Sequence, residues 1–198
     1  MSQGLLCFGG SFNPIHNGHL HCCREVAYAC KFARVLLVPS AQPPHKPTEA
    51  DLAPAQDRAT MCRIATAGDP LFEVSDIELR RSGPSYTIDT VRSLKAAGHP
   101  EISWLIGADM LLLLPMWHRA RELIHEANML VMNRPGFAIQ WEKLPTEFRG
   151  LQANVVAAPL LDISASEIRR RLRAGESVDD LLPAAVVRYI KEKGLYRD

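Results

Sequence analysis

The chain has 198 residues, which is enough for one α/β domain with a sizeable hydrophobic core. Its 23 Lys and Arg residues nearly balance its 22 Asp and Glu residues, so the formal net charge at pH 7 is +1. This balance creates no overall field that would attract nucleic acid or a membrane surface. We therefore expect neither of those partners, and any anion must bind through a local group of donors. The oligomeric state stays open, and a homo-oligomer is one alternative.

The hydropathy pattern argues against membrane insertion and export. No apolar run approaches the ~18 residues of a membrane-spanning helix, and the longest one, 110–117, is interrupted by Pro115. The first residues lead directly into a strand pattern, without the basic and apolar parts of a secretion signal. These observations predict a cytoplasmic protein.

The cysteines are more typical of a core than of a disulfide or metal framework. There are five of them, with no C-x-x-C pair, and most have apolar neighbours. The alternative is a zinc site made by His21, Cys22 and Cys23, but ligands adjacent in sequence point apart. We therefore predict no metal site built from protein side chains.

The segment GGSFNPIHNGHL, residues 9–20, follows an apolar run at 5–8 that is typical of a buried strand. Its glycines permit a tight turn and close approach of a ligand, and the apolar spacing becomes helical after Gly18. A helix start carries free N–H groups and a partial positive charge, which suit phosphate. Because His16 and His19 lie at this start, we predict that the segment binds a polyphosphate. The alternative is a tight strand-to-helix turn with two solvated histidines.

Strand and helix patterns alternate along the rest of the chain. Strand patterns cover 35–38, 72–74, 77–79, 102–106, 129–132 and 155–157. Helix patterns cover 55–67, 87–97, 110–114, 119–127, a segment beginning at Ser164, and 183–193, whereas 137–151 has no clear period. Continuous apolar strands next to helices are typical of a sheet covered on both faces. We therefore predict a Rossmann-like, doubly wound α/β fold with a mainly parallel sheet and helices on both faces. The chain would form a single domain, 1–198, with a small helical part at about 164–198.

Polar residues follow two later elements at positions that suit a ligand. Gly107 and Asp109 come directly after the strand at 102–106, and ligands of doubly wound sheets bind at the carboxyl ends of strands. Asp109 is suited either to accept a ribose hydroxyl or to cap a helix. Ser164, followed by Glu167, forms a capping-box pattern and so marks a further helix start. That start is either a second phosphate site or the ordinary cap of a solvated basic helix.

Four further positions are candidates for binding. Lys46 lies in a proline-rich loop, where it is either solvated or directed at a phosphate. Thr87 or Asp89 is suited to cap the helix that begins there. Trp117 is either a core residue or a platform on which a flat ring stacks. Arg134 follows a strand and is a candidate phosphate contact.

Residues 9–20 contain G-G-[ST]-F-x-P followed by H-x-G-H, and the chain has neither a G-x-x-x-x-G-K-[ST] nor a G-x-G-x-x-G pattern. This combination resembles the nucleotidylyltransferase signature, and in particular that of bacterial nicotinate-nucleotide adenylyltransferases. The resemblance extends from Gly9 to Tyr196. Its further motifs are PPHK at 43–46, SYTIDT at 85–90, IGADML at 106–111 followed by Trp117, ISASEIR at 163–169 and the C-terminal P..V..YI...GLY.

The resemblance implies binding residues for two substrates. ATP would be bound by Gly9, Gly10, Ser11, Phe12, His16, His19, Gly107, Asp109, Ile163, Ser164, Ser166 and Arg169. The nicotinate nucleotide would be bound by Lys46, Thr87, Asp109, Trp117, His118 and Arg134. His16 and His19 are expected to be catalytic, and Trp117 is expected to stack on the pyridine ring. The backbone at Thr87 and His118 would bind the pyridine carboxylate. The family motif is close to ISSTxIR, so Ala165 removes a family hydroxyl while Ser166 keeps the next one.

These assignments predict adenylyl transfer from ATP to nicotinate mononucleotide, giving deamido-NAD and pyrophosphate in NAD biosynthesis. Mg²⁺ would be held mainly by the ATP phosphates, because the sequence has no carboxylate cluster for it. One alternative is a related adenylyltransferase that acts on nicotinamide mononucleotide or pantetheine phosphate. The other is a catalytically inactive nucleotide-binding regulator.

Overall fold

The computed structural model describes residues 4–44, 52–133, 138–158 and 161–197. Its strands are β1 (Leu5–Gly10), β2 (Val35–Pro39), β3 (Phe72–Val74), β4 (Ile102–Gly107), β5 (Asn128–Asn133) and β6 (Val155–Ala157). Its α-helices are α1 (Asn17–Ala29), α2 (Ala55–Ala65), α3 (Thr87–Ala96), α4 (Ala108–Leu111), α5 (Ala120–Glu126), α6 (Thr146–Arg149), α7 (Ala165–Arg173) and α8 (Ala184–Lys193). Short 3-10 turns cover Leu114–Met116, Trp141–Lys143 and Gly150–Asn154.

The six strands form one sheet in the order β3-β2-β1-β4-β5-β6, and every pairing between neighbours is parallel. Cys7 of β1 pairs with Leu36 of β2 on one side and with Trp104 of β4 on the other. The chain order therefore reverses between β1 and β4, which is the switch point where doubly wound sheets bind ligands. The predicted fold class is confirmed.

Helices cover both faces of the sheet because alternate side chains of each strand point to opposite sides. On one face, Leu6 and Phe8 of β1 pack in a core with residues of α1, α2, α7 and α8. On the other face, Leu5 and Cys7 pack in a second core with residues of α3, α4, α5 and α6. The C-terminal helices α7 and α8 thus contribute to the same core as the helix that follows the glycine-rich segment.

Two predicted elements are wrong in detail. Residues 77–79 form a turn in which Glu78 is buried and accepts a 2.6 Å hydrogen bond from Thr90 Oγ1. The alternation at 77–79 predicts a solvent-facing Glu78 between two inward apolar side chains. Glu78 is the buried residue instead, because a hydroxyl group donates a hydrogen bond to its carboxylate. The helix predicted at 110–114 ends at Leu111, and a 3-10 turn follows, because Pro115 lacks the N–H that an α-helix needs.

The cysteines are free thiols, and Cys7, Cys22, Cys23 and Cys62 are buried, as predicted for core residues. Burial raises the pKa of the Cys7 thiol to about 12, so this thiol is protonated at neutral pH. Among the helices that the structure describes, none has the length and apolar character that crossing a membrane would require.

Candidate active site

A cavity of about 980 Å³ opens at the carboxyl ends of the central strands. The residues that follow β1, β2 and β4 line it, together with the first residues of α1, α3 and α7. Its position coincides with the switch point between β1 and β4. The wall therefore combines backbone N–H groups of helix starts with polar side chains, which suits an anionic nucleotide.

The two histidines of the glycine-rich segment form a reciprocal pair at the start of α1. His16 is the N-cap residue, and its Nδ1 accepts the backbone N–H of His19 at 3.3 Å. His19 Nδ1 accepts the backbone N–H of His16, also at 3.3 Å. The rings are stacked, with centroids 3.5 Å apart and planes inclined by 23°. Two imidazoles thus make a capping box, which usually pairs a hydroxyl side chain with a carboxylate or carboxamide.

This pairing determines the charge and the tautomer of both rings. Since each Nδ1 accepts a hydrogen bond, a neutral ring carries its proton on Nε2. A second proton on Nδ1 would face a backbone N–H donor and the positive end of the helix dipole. Burial lowers the pKa of His16 to about 4 and, with the neighbouring His16, lowers the pKa of His19 well below its usual value. Both rings are therefore neutral at pH 7 and offer Nε2–H as a donor.

Two glycines leave room for neighbouring side chains at this site. A Cβ at Gly18 would lie 3.0 Å from Nδ1 of His16, which explains the glycine inside H-x-G-H. A Cβ at Gly107 would lie 2.4 Å from Oδ1 of Asp109, so the glycine lets this carboxylate fold back over the end of β4. Asp109 is exposed on the cavity wall, and the N-cap of α4 is Gly107. The helix-cap interpretation of Asp109 is therefore wrong.

The loops around the cavity are joined by Arg58, whose side chain is completely buried. It donates hydrogen bonds to the carbonyl oxygens of Ser11 at 2.6 Å, Ala53 at 2.8 Å and Ala41 at 3.2 Å. Ser11 belongs to the turn after β1, and Ala41 to the loop after β2. One guanidinium therefore fixes the two loops relative to each other. The same helix also carries Gln56, Asp57 and Arg63, so the sequence pattern gave no signal that distinguished Arg58.

A second group of cavity residues comes from the start of α3 and from the segment after α4. Thr87 is the first residue of α3, and Trp117 ends the 3-10 turn after α4. The ring of Tyr86 stacks on that of His118, with centroids 4.1 Å apart and planes inclined by 23°. This stack joins the start of α3 to the segment that carries Trp117. The N-cap of α3 is Tyr86, without a side-chain hydrogen bond, so the expected capping by Thr87 or Asp89 is wrong.

The start of α7 forms another part of the wall. Ser164 is its N-cap, and the Ser164 hydroxyl accepts the backbone N–H of Glu167 at 3.5 Å. Arg169 is buried, and its Nη1 donates to the carbonyl oxygen of Asn13 at 2.9 Å. Arg170 and Arg171 lie outside the cavity and pair with the carboxylate of Glu167. Ser164 therefore caps this helix, and Ser166 and Arg169 line the cavity. The second phosphate site at this helix start stays a prediction.

The comparisons with known proteins agree with this geometry. The family model described as cytidylyltransferase-like matches residues 7–171. A probable nicotinate-nucleotide adenylyltransferase of Yersinia enterocolitica is 43% identical over 96% of this chain and 94% of its own length. One from Geobacillus kaustophilus is 42% identical over 96% of this chain and 84% of its own length.

The chain belongs to the nicotinate-nucleotide adenylyltransferase family. A solved structure of the same fold is that of Plasmodium falciparum nicotinic acid mononucleotide adenylyltransferase complexed with NaAD. It is 19% identical, covers 97% of this chain and 96% of its own, and has a TM-score of 0.76.

Most of the binding residues expected for this family line the cavity. They are Gly9, Gly10, Ser11, Phe12, His16, His19, Thr87, Gly107, Asp109, Trp117, His118, Ile163, Ser166 and Arg169. Ser164 lies behind the wall as the cap of α7. Lys46 and Arg134 lie outside the described residues. Their predicted contacts with phosphate stay predictions.

Other wall residues were missed by the sequence analysis. Ser40, directly after β2, has a buried hydroxyl that meets no hydrogen-bond partner within the described residues. Asn13, Glu78 and Ser85 also line the cavity. A buried hydroxyl without a partner is costly, so a polar group of a bound nucleotide would satisfy Ser40. The available signal was its place at a strand end, the same signal that identified Asp109.

The described part of the wall has no cluster of side chains that could bind a metal ion by itself. Across the described residues, no three His, Cys, Asp or Glu side chains come together in a way that could hold a metal ion. His21, Cys22 and Cys23 lie in the described part of the chain and do not form such a cluster there. Such a wall fits a cation that is bound through substrate phosphates, because Mg²⁺ commonly keeps water and phosphate ligands.

Proposed function

We infer that this protein transfers the adenylyl group of ATP to nicotinate mononucleotide, giving deamido-NAD and pyrophosphate in NAD biosynthesis. The observation that carries the inference is the pair of neutral imidazoles, His16 and His19, at a glycine-opened helix start on the switch-point cavity. The family membership supports the same reaction, since the bacterial relatives carry this name.

The chemistry requires alignment and donors rather than a general base. An oxygen of the nucleotide's phosphate attacks the α-phosphorus of ATP, and the bond from that phosphorus to the bridging oxygen breaks. Pyrophosphate leaves with the bonding electrons. A phosphate monoester has its second pKa near ~6, so the attacking group is mostly a dianion at pH 7. Charge on the transferring phosphate then needs stabilising hydrogen bonds.

His16 and His19 supply those bonds in this proposal. Each neutral ring directs its Nδ1 inward, to a backbone N–H, and so has Nε2–H left to donate to ATP phosphate oxygens. The rings are fixed by the helix start before substrate binds, which lowers the reorganisation needed during reaction. Their low pKa values argue for hydrogen-bond donation and against proton transfer by these groups.

The pyridine nucleotide would occupy the side of the cavity formed by Thr87, Trp117 and His118. In this proposal Trp117 stacks on the pyridine ring, and the backbone amides at Thr87 and His118 bind its carboxylate. Asp109 accepts a ribose hydroxyl. The support is the meeting of these residues at one wall, joined by the stack of Tyr86 on His118. Lys46 and Arg134 are proposed as phosphate contacts on the family resemblance.

Mg²⁺ is proposed as the cofactor and would be held mainly by ATP phosphate oxygens, where it neutralises part of their charge. We also propose a cytoplasmic location, because the reaction consumes ATP.

A substrate comparison tests the proposed function. Pyrophosphate release would be measured with ATP, Mg²⁺ and one of three acceptors: nicotinate mononucleotide, nicotinamide mononucleotide or pantetheine phosphate. We expect the highest kcat/KM with nicotinate mononucleotide. A higher value with either other acceptor would reassign the substrate, and no release with any of them would favour a binding protein without catalytic activity.

A further inference from the structure

Besides the Arg58 contact at Ser11, the turn between β1 and α1 is held at Asn13, which is buried. Its Oδ1 accepts hydrogen bonds from the hydroxyl of Tyr196 at 2.8 Å and from the backbone N–H of Ala53 at 3.0 Å. Its carbonyl oxygen accepts from Nη1 of Arg169 at 2.9 Å. Donors from three distant parts of the chain therefore converge on a residue three positions before His16.

The backbone next to Asn13 needs such support. Phe12 has a φ of +46°, in the left-handed region that is unfavourable for a bulky side chain. This conformation places the Phe12 ring edge-on to the ring of His19, with centroids 5.3 Å apart and planes inclined by 82°. Unfavourable backbone conformations persist where surrounding contacts fix them. The position of the His19 ring thus depends on contacts that hold the turn.

Tyr196 reaches the turn because the chain reverses after α8. Gly194 ends α8 with a φ of +63°, a conformation that glycine adopts readily. The reversal returns Leu195 and Tyr196 to the core that contains Phe12. Burial raises the pKa of the Tyr196 hydroxyl well above its usual value, so the group stays protonated and remains a donor. Tyr196 does not line the cavity, so its influence passes through Asn13.

We propose that Tyr196 is a positioning residue for the reaction. Its hydroxyl fixes the Asn13 side chain, and the turn so fixed sets the placement of the His16 and His19 rings. The proposal rests on the function proposed above, because it assigns Tyr196 an effect on that reaction.

The chain offers a matched pair of tyrosines for the test. Tyr196→Phe removes one hydroxyl oxygen and keeps the ring. Tyr189→Phe removes a hydroxyl that donates, at the same 2.8 Å, to Oδ1 of Asp57, a residue of α2 and not of the turn. For Tyr196→Phe we expect kcat with ATP and nicotinate mononucleotide to fall at least about fivefold, with both KM values within about twofold of the unmodified protein. For Tyr189→Phe we expect kcat within about twofold.

A spectroscopic readout makes the test independent of activity. In ¹⁵N-labelled protein, the ring nitrogens of His16 and His19 report their hydrogen bonds. We expect their resonances to move in Tyr196→Phe and to stay in place in Tyr189→Phe. Melting curves of both variants show whether each is folded at the assay temperature.

The outcomes separate this proposal from the proposed function. If the unmodified protein does not adenylate nicotinate mononucleotide, the function fails, and the histidine resonances alone decide whether Tyr196 positions the rings. If it does, unchanged kcat and unchanged resonances in Tyr196→Phe overturn the proposal. If both variants lose the same melting temperature and the same fraction of kcat, the loss of kcat follows from stability, and the proposal is also overturned.

Discussion

Removing the His19 ring tests two roles that the structure assigns to one side chain. Its Nδ1 accepts the backbone N–H of His16 and so caps α1. Its Nε2–H is the proposed donor to the transferring phosphate. His19→Ala removes both. His19→Gln removes the imidazole but keeps an acceptor of the type that capping boxes use at this position.

The capping role affects the free energy of unfolding, and the donor role affects kcat. Loss of the capping hydrogen bond, together with the ring contact to Phe12, should lower the free energy of unfolding of His19→Ala by about 1–2 kcal/mol. That leaves a folded protein. Loss of a preorganised donor to the transition state should lower kcat about 100-fold or more, equivalent to ~2.7 kcal/mol. We therefore expect His19→Gln to recover stability and to remain impaired in turnover.

Urea unfolding measures the first quantity, and pyrophosphate release at saturating substrates measures the second. Near-normal kcat in His19→Ala would remove His19 from the mechanism. Recovery of kcat as well as stability in His19→Gln would show that the cap, and not the imidazole donor, is what the reaction needs.

Three further predictions follow from the same site. The pKa of His16 is about 4 in the folded protein against about 6.5 when unfolded, so the unfolded chain binds the proton first and stability falls as pH drops through this window. Between pH 7 and pH 5, His16 should lower the free energy of unfolding by about 2 kcal/mol. Urea unfolding measures this pH dependence, and His16→Asn should reduce it. An equal pH dependence in that variant would contradict the lowered pKa. Trp117→Ala should raise KM for the pyridine nucleotide more than KM for ATP, since stacking on a base is worth ~1–3 kcal/mol; equal changes in both KM values would assign Trp117 to the core. Gly18→Ala should lower kcat, measured by pyrophosphate release, because the new Cβ would displace the His16 ring. This is expected even though alanine favours a helix over glycine by about 1 kcal/mol. Unchanged kcat would show that the ring tolerates the displacement.

Local patterns in the sequence predicted most of the architecture. Continuous apolar runs such as 35–38 identified buried parallel strands, because both faces of such a sheet exclude water. The glycine-rich segment identified a strand, a turn and a helix start, since backbone freedom and helical spacing are visible in consecutive residues. Strand ends then indicated where Asp109 would lie. The family followed from H-x-G-H and the motifs after it.

Contacts between distant residues were decided only by the tertiary structure. The sequence placed His16 and His19 together, but their neutral state follows from burial and from two backbone N–H groups that face their Nδ1 atoms. The turn at 77–79 was mistaken for a strand because Glu78 finds its partner, Thr90, in α3. Asn13 and Tyr196 are 183 positions apart and still share a hydrogen bond. Whether a buried polar group has a hydrogen-bond partner depends on which distant atoms the fold brings close to it. The local spacing of apolar residues carries no information about those atoms.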